Sequence, residues 1–273
     1  FVRQHMGLPD NGSYHDYVEV KRPYVVWNVI AAEPYSVKAK TWCYPIAGCV
    51  SYRGYYDKAD ARAYASELKQ QGLDVAISGA SAYSTLGWMD DPLLSTMLNR
   101  SEARLVEVII HELAHQRFYL ADQTQINESF ASAVALEGVR RWYQQKGDDA
   151  AYQEFLQARQ LRREFNQLLL ATRQELASHY AQVMDSTKRQ QGKERIFSRL
   201  QDEYQQFSKR HGDHRYDRWM SQGLNNAHLA QVAAYNQLEP LFTKMIRQAD
   251  GDMQAFYRQL EAMSEVEFMR LKE

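Results

Sequence analysis

The segment that most constrains this chain runs from His111 to His115 and reads His-Glu-Leu-Ala-His. Leu105, Val108 and Phe118 flank it at helical spacing, which predicts an amphipathic helix beginning at an N-cap serine near residue 101. Residues four apart on a helix lie one turn above each other, so both imidazoles face the same point. Two such imidazoles are typical ligands of a zinc ion, and the intervening glutamate is placed to act as a base.

A catalytic zinc usually has three protein ligands, so a second element must supply the third. Glu128 is the residue we predict, because it lies near the start of a second predicted helix that runs from about Thr124 to Lys146. The intervening segment is long enough for one more turn, a reversal and a return. Ala131 and Ala135 would share a face with Glu128 and admit close helix packing. Asp122 is the alternative ligand, nearer in sequence but placed where the chain must turn.

These residues predict a site with one catalytic Zn²⁺ held by His111, His115 and Glu128. Two neutral imidazoles and one carboxylate leave a net positive charge at the metal, which acidifies a bound water and polarises a carbonyl oxygen. Glu112 leaves the helix about 100° away from His111, so we expect it to be the general base rather than a ligand. The alternative is a pair of histidines at the edge of the core beside a surface glutamate.

Composition excludes several other classes. The chain has 273 residues with 33 basic and 34 acidic side chains, a net charge of -1, so neither a nucleic-acid patch nor a polyanion partner is indicated. No apolar run approaches the roughly 18 residues of a membrane span. Because the chain begins at Phe1 rather than methionine, we expect that a leader or an N-terminal segment has been removed.

The sequence predicts an α+β fold that is predominantly helical, with one compact two-lobed unit. Residues 1–100 form a small mixed sheet region, 101–147 the zinc-binding helix pair and 148–273 a C-terminal helical bundle of three or four helices. Within these regions we predict strands at 24–30, 48–52 and 73–77, a helix over 57–71 that stops at Gly72, and a loop over 186–195 around Gly192. Ser78, Gly79 and Ala80 are predicted to break the third strand.

Cys43 and Cys49 are the two cysteines of the chain, six residues apart across a turn that contains proline and glycine. They could approach closely enough for a disulfide, which would indicate an oxidising compartment. Two free, buried thiols are the alternative.

The chain resembles a known family along nearly its whole length: the predicted aminopeptidases of Gram-negative bacteria, which are zinc-dependent with a thermolysin-like set of ligands. The matching segments are 42–55, 82–88, 111–115, 127–131, 224–227 and Tyr235. The resemblance implies removal of N-terminal residues from peptides by a periplasmic enzyme, often made as a lipoprotein tethered to the membrane. Ser132 departs from the thermolysin-like pattern, in which an aspartate at that position supports a histidine.

An oxyanion donor and substrate contacts are also expected. Tyr235 is the first candidate for the donor, with Tyr83 or His228 as alternatives. Asn225 and Asn226 are predicted to hydrogen-bond the substrate backbone, although such a pair is also a frequent helix cap.

The segment from Tyr83 to Gly87 is predicted to be a strand that pairs with an extended substrate, with Tyr83 as a substrate-binding residue. Asp90 and Asp91 are candidates for recognising a free ammonium group. The runner-up functions are a zinc endopeptidase and a non-catalytic cell-envelope protein in which zinc only staples the helices.

Overall fold

The computed structural model describes residues 1–44, 48–81, 89–121, 123–232, 238–264 and 267–268. It confirms the predicted fold class, because helices dominate and the strands form only small sheets. The helices are α1 Val2–Met6, α2 Lys58–Gln70, α3 Ser95–Leu98, α4 Glu102–Arg117, α5 Thr124–Lys146, α6 Asp149–Tyr180, α7 Ser186–His211, α8 Asp217–Met220, α9 Asn226–Ala230, α10 Glu239–Gln248 and α11 Met253–Glu261. The strands are β1 Tyr17–Val18, β2 Val26–Ala32, β3 Trp42–Tyr44, β4 Gly48–Val50, β5 Arg53–Tyr55, β6 Asp74–Ala80 and β7 Leu93–Leu94.

The chain divides into two compact units, each assembled from discontinuous stretches. Unit 1 contains Phe1–Arg22, Ala82–Ala158 and Ala234–Glu273, and unit 2 contains Pro23–Ser81 and Arg159–Ala233. The divisions predicted at residues 100 and 147 follow changes in composition along the sequence, and they stay predictions. The two compact units are defined by which stretches of the chain pack together.

Unit 1 is built around the pair α4 and α5, with α1, α10 and α11 packed against it. Phe130 of α5 lies at its centre, with no exposed surface and with its ring against Phe118, Phe242 and Phe256. Burying a phenylalanine side chain is worth roughly 1.5–3 kcal/mol, so this aromatic cluster fixes α5 within the unit. The two-residue strands β1 and β7 pair in parallel at the surface.

Unit 2 contains an antiparallel sheet of order β5-β2-β6. Strand side chains alternate between faces, and here both faces are covered. Trp27, Val29 and Ala31 of β2 pack with α2, whereas Ile30 and Ala32 pack with α9. Among the strands that the structure describes, none pairs with the outer edge of β6, so β6 is an edge strand of the described sheet.

Several local predictions are confirmed. Strand β2 occupies the first predicted strand region, and α2 begins after the capping carboxylate of Asp57 and is followed by Gly72 at φ +83°. Ser101 caps α4 through a hydrogen bond from the backbone of Arg104. A disulfide joins Cys43 and Cys49, which lie opposite each other in the β3–β4 ladder.

Two local predictions are wrong. The segment predicted as a loop over 186–195 is the first part of α7, with Asp185 as its N-cap. Gly192 is buried there because α6 comes close: a Cβ at this position would lie 2.1 Å from ring atoms of His179. Strand β6 also continues through Gly79, where the missing side chain makes room for the ring of Tyr24.

No helix in the described ranges is both long and apolar enough to cross a bilayer.

Candidate metal centre

The first two residues of the site come from α4. His111 and His115 lie one turn apart, with their ring centroids 4.8 Å apart and their Nε2 atoms separated by 3.2 Å. His115 is buried and His111 is half-buried, so the site opens on the His111 side. The helical prediction for this segment therefore places both imidazoles as expected.

Glu128 of α5 brings its carboxylate to the same point. Its Oε2 lies 3.3 Å from Nε2 of His111, and its Oε1 lies 3.5 Å from Nε2 of His115. These three residues form the one group of histidine, cysteine and acidic side chains with metal-site spacing among the described residues. Asp122, the alternative ligand, lies outside the residues that the structure describes.

The turn between α4 and α5 is fixed by Asn127, the residue before Glu128. Its side chain is almost fully buried and closes two hydrogen bonds on Leu120: Oδ1 accepts from the Leu120 amide at 2.9 Å, and Nδ2 donates to the Leu120 carbonyl at 2.7 Å. These two bonds hold the first turn of α5 against Leu120, and the next residue, Glu128, faces the two histidines.

Small residues let the two helices approach. Ala131 and Ala135 are fully buried, as their predicted face requires. One helical turn further, a Cβ added at Gly138 would lie 2.4 Å from Cδ1 of Ile110. Because Ile110 immediately precedes His111, the approach at Gly138 helps to set the spacing between the candidate ligands on the two helices.

The electrostatics of Glu128 depend on the histidines. Burial alone would raise the pKa of this carboxyl, but hydrogen bonds and charge from His111 and His115 outweigh burial and lower it to about 2. The carboxylate is therefore ionised at neutral pH and faces two imidazoles.

Nδ1 of His115 is buried without a hydrogen-bond partner among the described residues. Ser132, which stands where the thermolysin-like pattern has an aspartate, is also buried.

Tyr14 is a residue of this site that the sequence reasoning missed. It lies in an N-terminal loop with φ +65°, an uncommon conformation for a bulky residue. Its backbone amide donates to the carbonyl of Asp91 at 2.6 Å, and Ser13 next to it accepts from the Asp91 amide. Burial raises the pKa of the Tyr14 phenol, and the nearby carboxylates of Glu112 and Asp91 raise it further. The phenol therefore stays protonated, close to the predicted general base.

The loop that carries Tyr14 is tied to α4 itself. The side chain of Asn11 donates to Gln116, the residue after His115, at 2.9 Å. Gly12, at φ +90°, packs where a Cβ would lie 2.9 Å from the carboxylate of Asp90. The only sequence signal for this loop is the Asn-Gly pair, which indicates a turn but not its position in the fold.

Asn225 and Asn226, predicted to bind substrate, lie in unit 2 at the start of α9. Asn225 caps this helix and donates to the carbonyl of Val75 at 3.1 Å. Asn226 is fully buried: its Nδ2 donates to the carbonyl of Pro34, and its Oδ1 accepts from the hydroxyl of Tyr180. Both amides thus take part in folding unit 2, and their role in substrate binding stays a prediction. Tyr83 and Tyr235 lie outside the described residues.

The sequence model of a family described as "putative aminopeptidase" matches residues 1–272. The chain belongs to this family. Membership supports peptidase activity on peptide substrates, as the resemblance had implied. No curated protein and no solved structure matches the chain.

Proposed function

We propose that this protein is a zinc-dependent aminopeptidase in which His111, His115 and Glu128 hold one Zn²⁺. The observation that carries the proposal is the separation of the three ligand atoms, 3.2–3.5 Å between neighbours. Zinc bonds of roughly 2.0–2.1 Å at a tetrahedral angle would place ligand atoms about 3.3 Å apart. Two imidazoles with a carboxylate are also a donor set that suits zinc, so the residues fit the ion.

Zinc bound there would supply Lewis-acid polarisation of the peptide carbonyl and would lower the pKa of a water molecule. The half-buried carboxylate of Glu112 takes up the proton of the attacking water and passes it to the leaving amine. Tyr14 holds its phenolic proton beside this carboxylate, where it can orient the carboxylate or donate to a developing negative charge.

The test is Glu112→Gln, assayed on unblocked amino-acid amides and short peptides. The variant should bind zinc with unchanged affinity and lose activity by about 10²-fold or more, because a general base contributes this much. Glu102→Gln is the matched control: it makes the same change in the first turn of the same helix, where the carboxylate pairs with Lys146, and it should keep full activity. Equal activity in wild type and Glu112→Gln would refute the assigned base.

Acetylated substrates separate exopeptidase from endopeptidase action. An aminopeptidase should stall on a peptide whose amino group is acetylated, whereas an endopeptidase should cleave it. If the protein binds zinc and unfolds on zinc removal but hydrolyses neither kind of peptide, zinc only staples α4 to α5.

We also propose a periplasmic location, with the precursor tethered as a lipoprotein. The disulfide between Cys43 and Cys49 supports an oxidising compartment. Fractionation of cells that express the native precursor tests this, and recovery in the cytoplasm with reduced cysteines would contradict it.

A further inference from the structure

A groove of about 820 Å³ lies in unit 2 along the outer edge of β6. Helix α2 forms one wall and the stretch from Arg215 to Gln231 forms the other. Because α2 and α9 cover opposite faces of the sheet, a space bounded by both walls lies at the sheet edge. We call this space the β6 groove. Its volume is within the roughly 300–1,000 Å³ of ordinary ligand sites.

The floor of the β6 groove presents backbone hydrogen-bonding groups. The carbonyl of Ala80 accepts from the amide of Val25 towards β2, whereas the carbonyl of Val75 points outward and accepts from the side chain of Asn225. Backbone groups alternate in direction along a strand, so those of Ile77 and Gly79 also point outward. An extended chain laid along β6 would therefore meet donors and acceptors at strand spacing.

The walls of the β6 groove are basic. Lys58, Arg62 and Lys69 line one wall from a single stripe of α2, and Arg218 lines the other. These four cations form no ion pair with any residue in the described part of the chain, whereas Arg215 is paired with Asp213. No aspartate or glutamate is among the described residues that line the groove.

His228 adds a neutral imidazole. It is 9% exposed, and its Nδ1 lies 3.2 Å from the backbone nitrogen and 2.9 Å from the side-chain oxygen of Asn225. Burial lowers the pKa of this imidazole to about 4, which keeps it neutral at physiological pH. The ring lines the groove, where it offers a polar but uncharged surface to a ligand.

Aromatic rings complete the walls. Trp27 lies under the ammonium of Lys58 at 4.4 Å, and Trp219 packs edge-on to His228 at 5.9 Å. Indole rings beside a strand edge offer apolar contacts for alternate side chains of an extended peptide, while cations at the rim attract its acidic side chains.

We propose that the β6 groove binds an extended, acidic polypeptide segment, which adds to β6 as a further strand. Charge complementarity selects the acidic side chains, and the outward backbone groups of β6 select a peptide rather than another polyanion. The proposal concerns unit 2 alone and holds whether or not the metal centre is catalytic.

The probe is a labelled peptide of alternating glutamate and valine, with seven residues to match the length of β6. Its ends are acetylated and amidated. Binding is measured by fluorescence anisotropy on the intact protein at low salt, with mass spectrometry to verify that the peptide remains whole. Three companion peptides are used: one carries lysine in place of glutamate, and two carry N-methyl groups on alternate amides, one in each register. Inorganic polyphosphate serves as a competitor.

Arg62→Glu combined with Lys69→Glu should weaken binding of the acidic peptide tenfold or more. Lys38→Glu combined with Lys40→Glu is the matched control, because these lysines are exposed in unit 2 outside the groove and give the same change in net charge. The control should alter the dissociation constant less than twofold. Circular dichroism and melting temperature establish that both variants are folded.

Binding of the four peptides to the wild-type protein tests the proposal even if a variant fails to fold. Binding of the acidic peptide with loss on N-methylation in one or both registers supports strand addition. Any of three results would overturn the proposal. The lysine peptide binds as tightly as the acidic peptide, both N-methylated peptides bind as tightly as the unmethylated one, or the acidic peptide does not bind at millimolar concentration. If both N-methylated peptides bind as tightly as the unmethylated one and polyphosphate displaces them fully, the groove is a simple polyanion site.

Discussion

Asn127→Ala is the substitution that tests how the chain places Glu128. The side chain of Asn127 is 1% exposed and makes two hydrogen bonds with the backbone of Leu120. Its loss leaves one amide and one carbonyl without these partners, and each lost bond of this kind costs about 1 kcal/mol or somewhat more. We therefore expect the free energy of unfolding to fall by about 2–3 kcal/mol.

The same substitution should weaken zinc binding. Without the Leu120 contacts, the first turn of α5 can shift, and the Glu128 carboxylate no longer meets the two imidazoles at the same distances. Residues that hold metal ligands in place typically contribute 10–100-fold to metal affinity, so the dissociation constant for zinc should rise at least tenfold, or ~1.4 kcal/mol. Competition with a chromogenic chelator measures this at a temperature where wild type and variant are both fully folded.

Asn225→Ala is the control, because it removes a capping asparagine that makes comparable hydrogen bonds in unit 2. It should destabilise the protein without changing zinc affinity. If Asn127→Ala loses the expected stability but binds zinc as tightly as wild type, the turn does not position Glu128. If the free energy of unfolding is also unchanged, the two hydrogen bonds contribute little.

Three further predictions follow from buried groups. Burial lowers the pKa of His228 to about 4, whereas the unfolded value is about 6.5, so stability should fall between pH 7 and 5 as the unfolded chain takes up a proton that the folded chain excludes. His228→Asn keeps an acceptor for the cap but removes the titrating group. Between pH 7 and 5, urea unfolding should therefore show a loss of stability that is about 2 kcal/mol smaller in this variant than in wild type. Tyr14→Phe should lower kcat at least tenfold at unchanged zinc affinity, since only the hydroxyl group that interacts electrostatically with Glu112 is lost. Gly138→Leu should cost about 2 kcal/mol in thermal unfolding and weaken zinc binding, because the new side chain would meet Ile110 between the helices.

Much of the candidate metal centre could be predicted from the sequence because its geometry is local. Four-residue spacing on a helix brings His111 and His115 together whatever the rest of the fold does. Glu128 followed from a short connection that allows few return paths, and small residues marked the face on which it returns. Tyr14 could not be found in this way, because its position depends on hydrogen bonds to a segment far along the chain.

The errors in the fold prediction also have physical causes. A glycine in a charged stretch is typical of a loop, but Gly192 is there because two long helices approach each other at that point. A glycine within a strand pattern likewise indicates a strand end, but Gly79 lies inside β6 and accommodates the ring of Tyr24. A glycine required by a long-range contact leaves the same local pattern as one required by a turn, so the sequence alone does not separate them.

The arrangement of the three candidate ligands is also easier to explain with a bound cation than without one. Two imidazole nitrogens 3.2 Å apart cannot both direct lone pairs at each other without repulsion, so one of them must carry a proton if no metal is present. A partly buried carboxylate at 3.3–3.5 Å then stabilises that proton, at the cost of losing most of its own solvation. A fold gains little from such a cluster, because apolar residues would pack the same space between α4 and α5 at lower cost. A divalent ion would satisfy all three lone pairs at once, and the packing of Phe130 and the turn at Asn127 keep them aimed at one point beforehand.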